Sequence, residues 1–505
     1  MDRLAVELIH ELAMQLHDDV DLRSLRLVNK TLGETVGYFL WDTRPAVIHL
    51  NRDNLQAGMS MLEDWKCGCE GSTRIRQLKI VSLSPQKELH PPQRCITFTG
   101  DGEWKTDPPE PIDTLEVKEA LERLPEVLPG ALCALKGLVS VQWTLNEKDH
   151  LWAQDVVMES LASLPLLARF EVDASIREGV PLSLHCFPKF RQGTLTRFFV
   201  KGGCLVETQE HTYTPESAFS TVLLHNPNII ELRLERYWGM RDFQSLIEQI
   251  PIDALGLKSL HLYGWIVKST PKVISHFRSL HTLCLLNDGY PYDIWKSMQS
   301  AGISLRCLTV EPASSDLLDY LESFSGLKEL SILHPDLDEE DSDNLGRRFY
   351  QDTLPKHSES LRKLAVVPPH DGSWVIGLDN VDVFDRCDKL CTLTVALKPD
   401  DIQPDDCDLD VVTHLITRLS QMPSIAYVEL ETVGDRAQLS RRKMISLLFR
   451  IHMENETNRA VKRVHSQKLS LPVFNHCFRV AVKFWGVGKK DYCMYVFGGC
   501  SESTG

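Results

Sequence analysis

Cysteine, histidine and aspartate are the residues of this chain best suited to chemistry, as metal ligands, nucleophiles or proton carriers. The 505 residues include 14 cysteines and 18 histidines, with close pairs at Cys67-Gly68-Cys69, Cys387-x-x-x-Cys391, His185-Cys186 and His476-Cys477. Zinc sites draw their ligands from paired short spacings such as Cys-x-x-Cys. No such pairing occurs, so these residues read as core or surface positions, with no metal and no other cofactor expected. The acidic run 336–343 invites calcium, but a calcium loop of the helix–loop–helix type needs glycine at its sixth place and glutamate at its twelfth. Asp341 and Arg347 stand there instead, which leaves solvated acids at a helix start, favoured by the helix dipole. A second acidic run covers 399–410. A glycine-rich phosphate loop, a His-Glu-x-x-His helix and a nucleophile elbow are all missing, so the chain is not expected to be an enzyme.

What positions these residues is a repeated strand pattern. Ile75-x-x-Leu78-x-Ile80 places apolar residues at the first, fourth and sixth positions. The pattern returns with starts at Leu138, Leu167, Leu195, Ile229, Leu257, Leu280, Leu305, Leu327, Leu361, Leu390 and Ile425. From Leu138 onward the starts lie 22 to 35 residues apart, the spacing of a repeat array in which each unit buries its apolar face on the next. Helix-like segments lie between them, for example Asp155 to Leu164, Phe243 to Ile250, Leu317 to Phe324 and Leu409 to Gln421. Strand then helix, repeated, resembles the leucine-rich-repeat solenoid, which implies inner parallel strands and outer helices. The asparagine or cysteine usual after the last apolar position is found only at Asn146, so an irregular solenoid is expected. Pro85, Pro91, Pro92, Pro108, Pro109 and Pro111 make 84–111 a loop.

Before the repeats comes an amphipathic stretch. Leu4, Leu8, Leu12 and Leu16 recur at helical spacing, followed by Leu22, Leu25, Val28 and Leu32 and a third helix after Gly33. Three short helices in about forty residues make too small a core to stand alone, so they need cover from their own chain or a partner. Leu4-Ala5-x-Glu7-Leu8, Leu12, Leu16, Asp21-Leu22, Leu25, Leu27-Val28-x-Lys30 and Leu32 resemble an F-box, with Ala5 where that family has proline and Leu32 where it often has an aromatic residue. The resemblance implies an α/β chain of three parts: a helical F-box-like module at 1–44, a leucine-rich-repeat-like solenoid at 45–435, and a basic helix with a terminal hairpin cap at 436–505.

It further implies a substrate receptor of an SCF-type (Skp, cullin, F-box) ubiquitin ligase. By that resemblance Leu4, Glu7, Leu8, Leu12, Leu16, Leu22, Leu25, Val28, Lys30 and Leu32 belong to the surface for a Skp-family adaptor, and through it a cullin, with some leucines packing internally. A scaffold or sensor whose degenerate F-box caps the array is the other reading. The protein substrate would lie on the concave strand face, where residues between the apolar positions point outward. Charges dominate its first half. Its second half carries an expected apolar stripe of Tyr263, Leu286, Leu333 and Val367, bordered by Arg233 and His261, with Phe199 further back.

A net charge of −15 argues against general nucleic-acid binding, which needs a positive field. No apolar run has the roughly 18 residues of a membrane span, and the first helix lacks the apolar core of a secretory signal. A cytoplasmic or nuclear protein, with reduced cysteines and no membrane contact, is therefore expected. Arg441, Arg442, Lys443, Arg450, Arg459, Lys462 and Arg463 make 436–468 basic, either as the solvated face of an outer helix or as a patch for a partner or phosphate.

Overall fold

The computed structural model describes residues 44–86, 113–146, 149–174, 182, 184–202, 214–236, 241–251, 255–286, 293–335, 339–403, 410–433, 443–466, 477–485 and 490–497, with 11, 24, 25, 27, 28, 32 and 36 nearer the N terminus. Two compact units divide the chain, Met1–Gly239 with Ser245–Gly256, and Met240–Gln244 with Leu257–Gly505.

The first unit is a ladder of six parallel strands taken in chain order: β1 Ala46–Leu50, β2 Gln77–Leu83, β3 Ser140–Thr144, β4 Arg169–Ala174, β5 Arg197–Gly202 and β6 Glu231–Arg236. Within each repeat motif the fourth and sixth positions are buried, as at Val141 and Trp143 or Phe170 and Val172. Alternation of period two is what gives the ladder one buried face and one open face. Helices Leu55–Lys66, Leu115–Cys133, Leu151–Ala162 and Pro215–His225 supply the connections. Thr114 and Thr214 cap two of them by accepting from the amides of Val117 and Ser217, satisfying donors that the first helical turn leaves open. Phe170, Phe187, Phe190, Phe198 and Phe219 meet in one aromatic cluster, with Phe187 and Phe219 edge to face at 5.2 Å.

The second unit repeats the plan. A short pair, β7 Arg241–Asp242 and β9 Trp265–Ile266, stands apart from the main ladder. That ladder contains β8 Ser259–Tyr263, β10 Thr282–Leu286, β11 Cys307–Val310, β12 Glu329–Leu333, β13 Lys363–Val367, β14 Thr392–Ala396, β15 Tyr427–Glu431 and β16 Phe478–Trp485, all parallel, and β17 Lys490–Phe497 antiparallel at the end. All twelve sequence motifs thus become strands in register, and both units have the arrangement of a leucine-rich-repeat-like fold. The first strand of the terminal pair continues the ladder by pairing parallel with β15. The irregularity expected from the missing asparagines is visible in the connections, which are α-helical at Ser315–Glu322 but 3-10 at Val381–Arg386.

Several core polar groups are tied down individually. Tyr320 donates to the Ile303 carbonyl at 2.9 Å and Tyr350 to the Trp374 carbonyl at 2.8 Å. The Trp374 indole donates to Ser342 Oγ at 3.0 Å. Each bond removes the penalty of a buried unpaired polar atom, about 1–3 kcal/mol.

Candidate functional site

The open strand faces are the candidate site, and each unit offers a different one. In the first unit, strand register builds a central row of Val47, Lys79, Gln142, Glu171, Phe199 and Arg233. Phe199 is half-buried between Glu171 and Arg233, and the Arg169 guanidinium lies over its ring at 5.5 Å from the centroid. Around it the charges expected from the sequence pair off. Arg169 Nη2 lies 3.2 Å from Glu171 Oε2, Arg197 Nε 2.8 Å from Glu231 Oε2, and Lys201 Nζ 3.6 Å from Asp173 Oδ2, while Arg233 bonds Glu235. Most of these groups are around one-third exposed, so each pair contributes only about 0–1 kcal/mol. Such pairs hold side chains in place at little energetic cost to exchange, so a polar partner can replace them around the aromatic ring.

The second unit's face is less charged over its first six strands, Glu329 and Lys363 being the charged residues at outward strand positions. Register aligns His261, Cys284, Thr309, Ser331, Ala365 and Thr394 in one row. His261 shares a contact of 3.1 Å with Ser259 Oγ. The expected stripe is only partly continuous. Tyr263 pairs with Leu286 and Leu333 with Val367, and all four are half-buried. Between the two pairs β11 ends and Glu311 follows, its Oε1 2.7 Å from His334 Nδ1. The stripe is therefore two apolar pairs divided by the Glu311–His334 contact, a correction that comes from where β11 stops. Arg233 belongs to the first unit's face. At the far end of the second, Lys483 Nζ bonds Glu431 and lies 3.8 Å from Glu429.

Burial, and then the charge of Glu329, push the Cys307 thiol upward, away from the reactive thiolate. A cleft of about 730 Å³ elsewhere in the second unit is lined by Asp343, Asp371, Asp379, Asp385 and Lys398, among others. Asp343 accepts from the Ser373 amide at 2.8 Å, Asp385 pairs with Arg418, and Lys398 lies 3.9 Å from Asp379.

Of the residues expected to meet an adaptor, Leu4, Glu7, Leu8, Leu12, Leu16, Leu22 and Lys30 lie outside the described residues. So do most of the 84–111 loop, the residues 404–409 of the second acidic run, the stretch 434–442 and His476. Val28 is 57% exposed and its neighbour Leu27 86%, whereas Leu32 and Val36 are buried at 2% and 0%. Leu25 is half-buried and receives the Val28 amide in a turn. Leu32 therefore packs internally, and Leu27 and Val28 face outward.

The sequence missed one assembly. His185 and Cys186, adjacent in the chain, are joined by Asp155 from the preceding helix, and the three ligand-type atoms lie within 4.8 Å of one another. Asp155 is about thirty residues upstream, beyond the reach of any spacing rule. Among the described residues no helix is long and apolar enough to cross a membrane.

No family model matches the chain. No curated protein matches it either. Among solved structures it is similar to the crystal structure of a TLR13–ssRNA13 complex, with 15% identity and a TM-score of 0.28 over 61% of this chain and 48% of that one. This chain thus spans about half the length of that relative. At that score the similarity carries no argument, and the leucine-rich-repeat-like reading rests on strand order and register alone.

Proposed function

We propose that this chain is the substrate-receptor subunit of an SCF-type ubiquitin ligase: residues 4–42 dock a Skp-family adaptor, and through it a cullin, while an open strand face holds a protein substrate. The chain makes and breaks no bond itself. One observation carries the reading. Among the described residues of the F-box-like stretch, adjacent apolar residues Leu27 and Val28 stand outward at 86% and 57% exposure while Leu32 and Val36 are buried, so apolar side chains are available to a partner at 27 and 28. Covering one such side chain contributes about 1.5–3 kcal/mol. On the substrate side, Phe199 beneath Arg169 and Tyr263 beside Leu286 supply the aromatic and arginine side chains that most often anchor protein interfaces.

The test is co-expression with a Skp-family adaptor and co-purification of the intact chain, a Leu8→Asp/Leu12→Asp variant and a Leu27→Asp/Val28→Asp variant. The last changes exposed positions only, so its fold survives. Capture of the intact chain and loss in both variants is expected. Failure of the intact, folded chain to bind sinks the receptor reading. It would favour a scaffold or sensor in which the segment merely caps the repeats, the role that buried Leu32 and Val36 already suit.

A further inference from the structure

Helix Leu151–Ala162 and the 3-10 segment Leu184–Lys189 meet through two matched contacts. Asp155 and Glu159 lie four residues apart on the helix, one turn, and His185 and Lys189 lie four apart on the segment. His185 Nε2 is 3.3 Å from Asp155 Oδ1, and Lys189 bonds Glu159. Cys186 is fully buried at 0% exposure, and its Sγ is 3.4 Å from the same Asp155 oxygen.

These separations have a second meaning. Ligand atoms bound tetrahedrally at about 2.0–2.3 Å from zinc stand roughly 3.3–3.6 Å from one another. The two edges at Asp155 Oδ1, 3.3 and 3.4 Å, match that spacing, and all three atoms lie within 4.8 Å of one another. A carboxylate oxygen, an imidazole nitrogen and a buried sulfur thus converge on one point.

We propose that Asp155, His185 and Cys186 form a binding site for a divalent transition-metal ion of the zinc class, with one coordination position open to solvent. Thiolate and carboxylate together neutralise the dication, and the imidazole binds as the neutral ring. On binding, the Cys186 S–H bond is exchanged for a sulfur–metal bond and the proton leaves to water. A sulfur and nitrogen donor set selects zinc or cobalt over magnesium and calcium, which prefer oxygen. The His185 and Asp155 side chains are 37% and 35% exposed, so the remaining face of the metal is open to water. The ion would tie the helix of one repeat to the connection that follows, and metal binding would then be linked to folding.

The test uses the full chain, stripped of metal under reducing conditions and titrated with Co²⁺ and then Zn²⁺. One equivalent of Co²⁺ should give tetrahedral visible bands and a thiolate-to-metal charge-transfer band, both bleached by Zn²⁺. Cys186→Ala should remove the charge-transfer band, and His185→Gln or Asp155→Asn should weaken binding by about 100-fold or more. These last two positions are partly exposed, so the variants remain folded, as circular dichroism would verify. Cys67→Ser/Cys69→Ser, at an exposed pair elsewhere, should leave the spectrum unchanged. No charge-transfer band in the intact chain, or one that survives Cys186→Ala or is undiminished by His185→Gln, overturns the site and leaves a hydrogen-bonded trio.

Discussion

Arg463 Nη2 lies 2.6 Å from Oδ2 of Asp410, a carboxylate with no solvent exposure. Asp410 caps helix Val411–Leu419, accepting from the amides of Val412 and Thr413 at 3.4 and 3.1 Å. The helix Lys443–Ser466 brings the arginine back to it. Part of the basic segment's charge is thereby spent inside the fold, so at Arg463 the reading of a phosphate patch gives way to a structural one.

Arg463→Ala should therefore destabilise the protein by about 3–5 kcal/mol, because it strands a buried charge. Arg463→Lys should restore part of that, since it keeps the charge but not the planar fork. Urea denaturation of the three proteins measures this directly. A loss below about 1 kcal/mol for the alanine variant, the size of a surface ion pair, would mean that water reaches Asp410.

His357 makes stability depend on pH. Its ring is buried, Nε2 lies 3.1 Å from the Leu321 carbonyl, which it must donate to, and burial lowers its pKa from 6.5 to about 4. The folded state thus binds the proton less readily than the unfolded chain. This contribution is fully present above pH about 6.5 and is lost as pH falls toward 4, amounting to a few kcal/mol at most. Comparing denaturation at pH 7 and pH 4.5 for the intact chain and His357→Gln should give a smaller pH effect in the variant. Equal slopes would assign the acid sensitivity to other groups.

Neighbours on one strand give a test of facing. Leu330 is buried at 0%, whereas Leu333, three residues on, is half-buried on the open face. Leu330→Ala should cost about 2–5 kcal/mol, including the cavity it leaves. Leu333→Ala should cost about 1 kcal/mol or less. Thermal or urea unfolding of the two variants decides it, and similar losses would mean that β12 is turned or shifted in register.

The strands were legible because their signal is local. Each of Leu330, Leu364 and Leu393 announces a buried position within its own six-residue motif, and register then stacks them. The same alternation placed Phe199 and Tyr263 on the open side. What lay beyond the sequence depends on chain segments far apart. Nothing near Asp155 points to Cys186, nothing in a run of basic residues distinguishes Arg463 from its neighbours, and only the end of β11 reveals Glu311 dividing the apolar stripe.

Gly137 is a case where close approach, rather than an unusual backbone angle, demands glycine. A Cβ there would fall inside the contact distance of the Thr73 carbonyl oxygen and within 3.4 Å of that of Ile75. Backbone atoms cannot swing away as a flexible side chain can. Gly137→Ala should thus be destabilising by about 1–3 kcal/mol, the cost of overpacking, against the gain of about 0.4–1 kcal/mol expected from a stiffer unfolded chain. Gly256, with nothing within 4 Å of an added Cβ, is the control, and Gly256→Ala should be neutral or mildly stabilising. Denaturant midpoints of the two variants separate the effects. If Gly137→Ala is as benign as Gly256→Ala, the approach of the residue 73–75 backbone to the turn before β3 is looser than its position here.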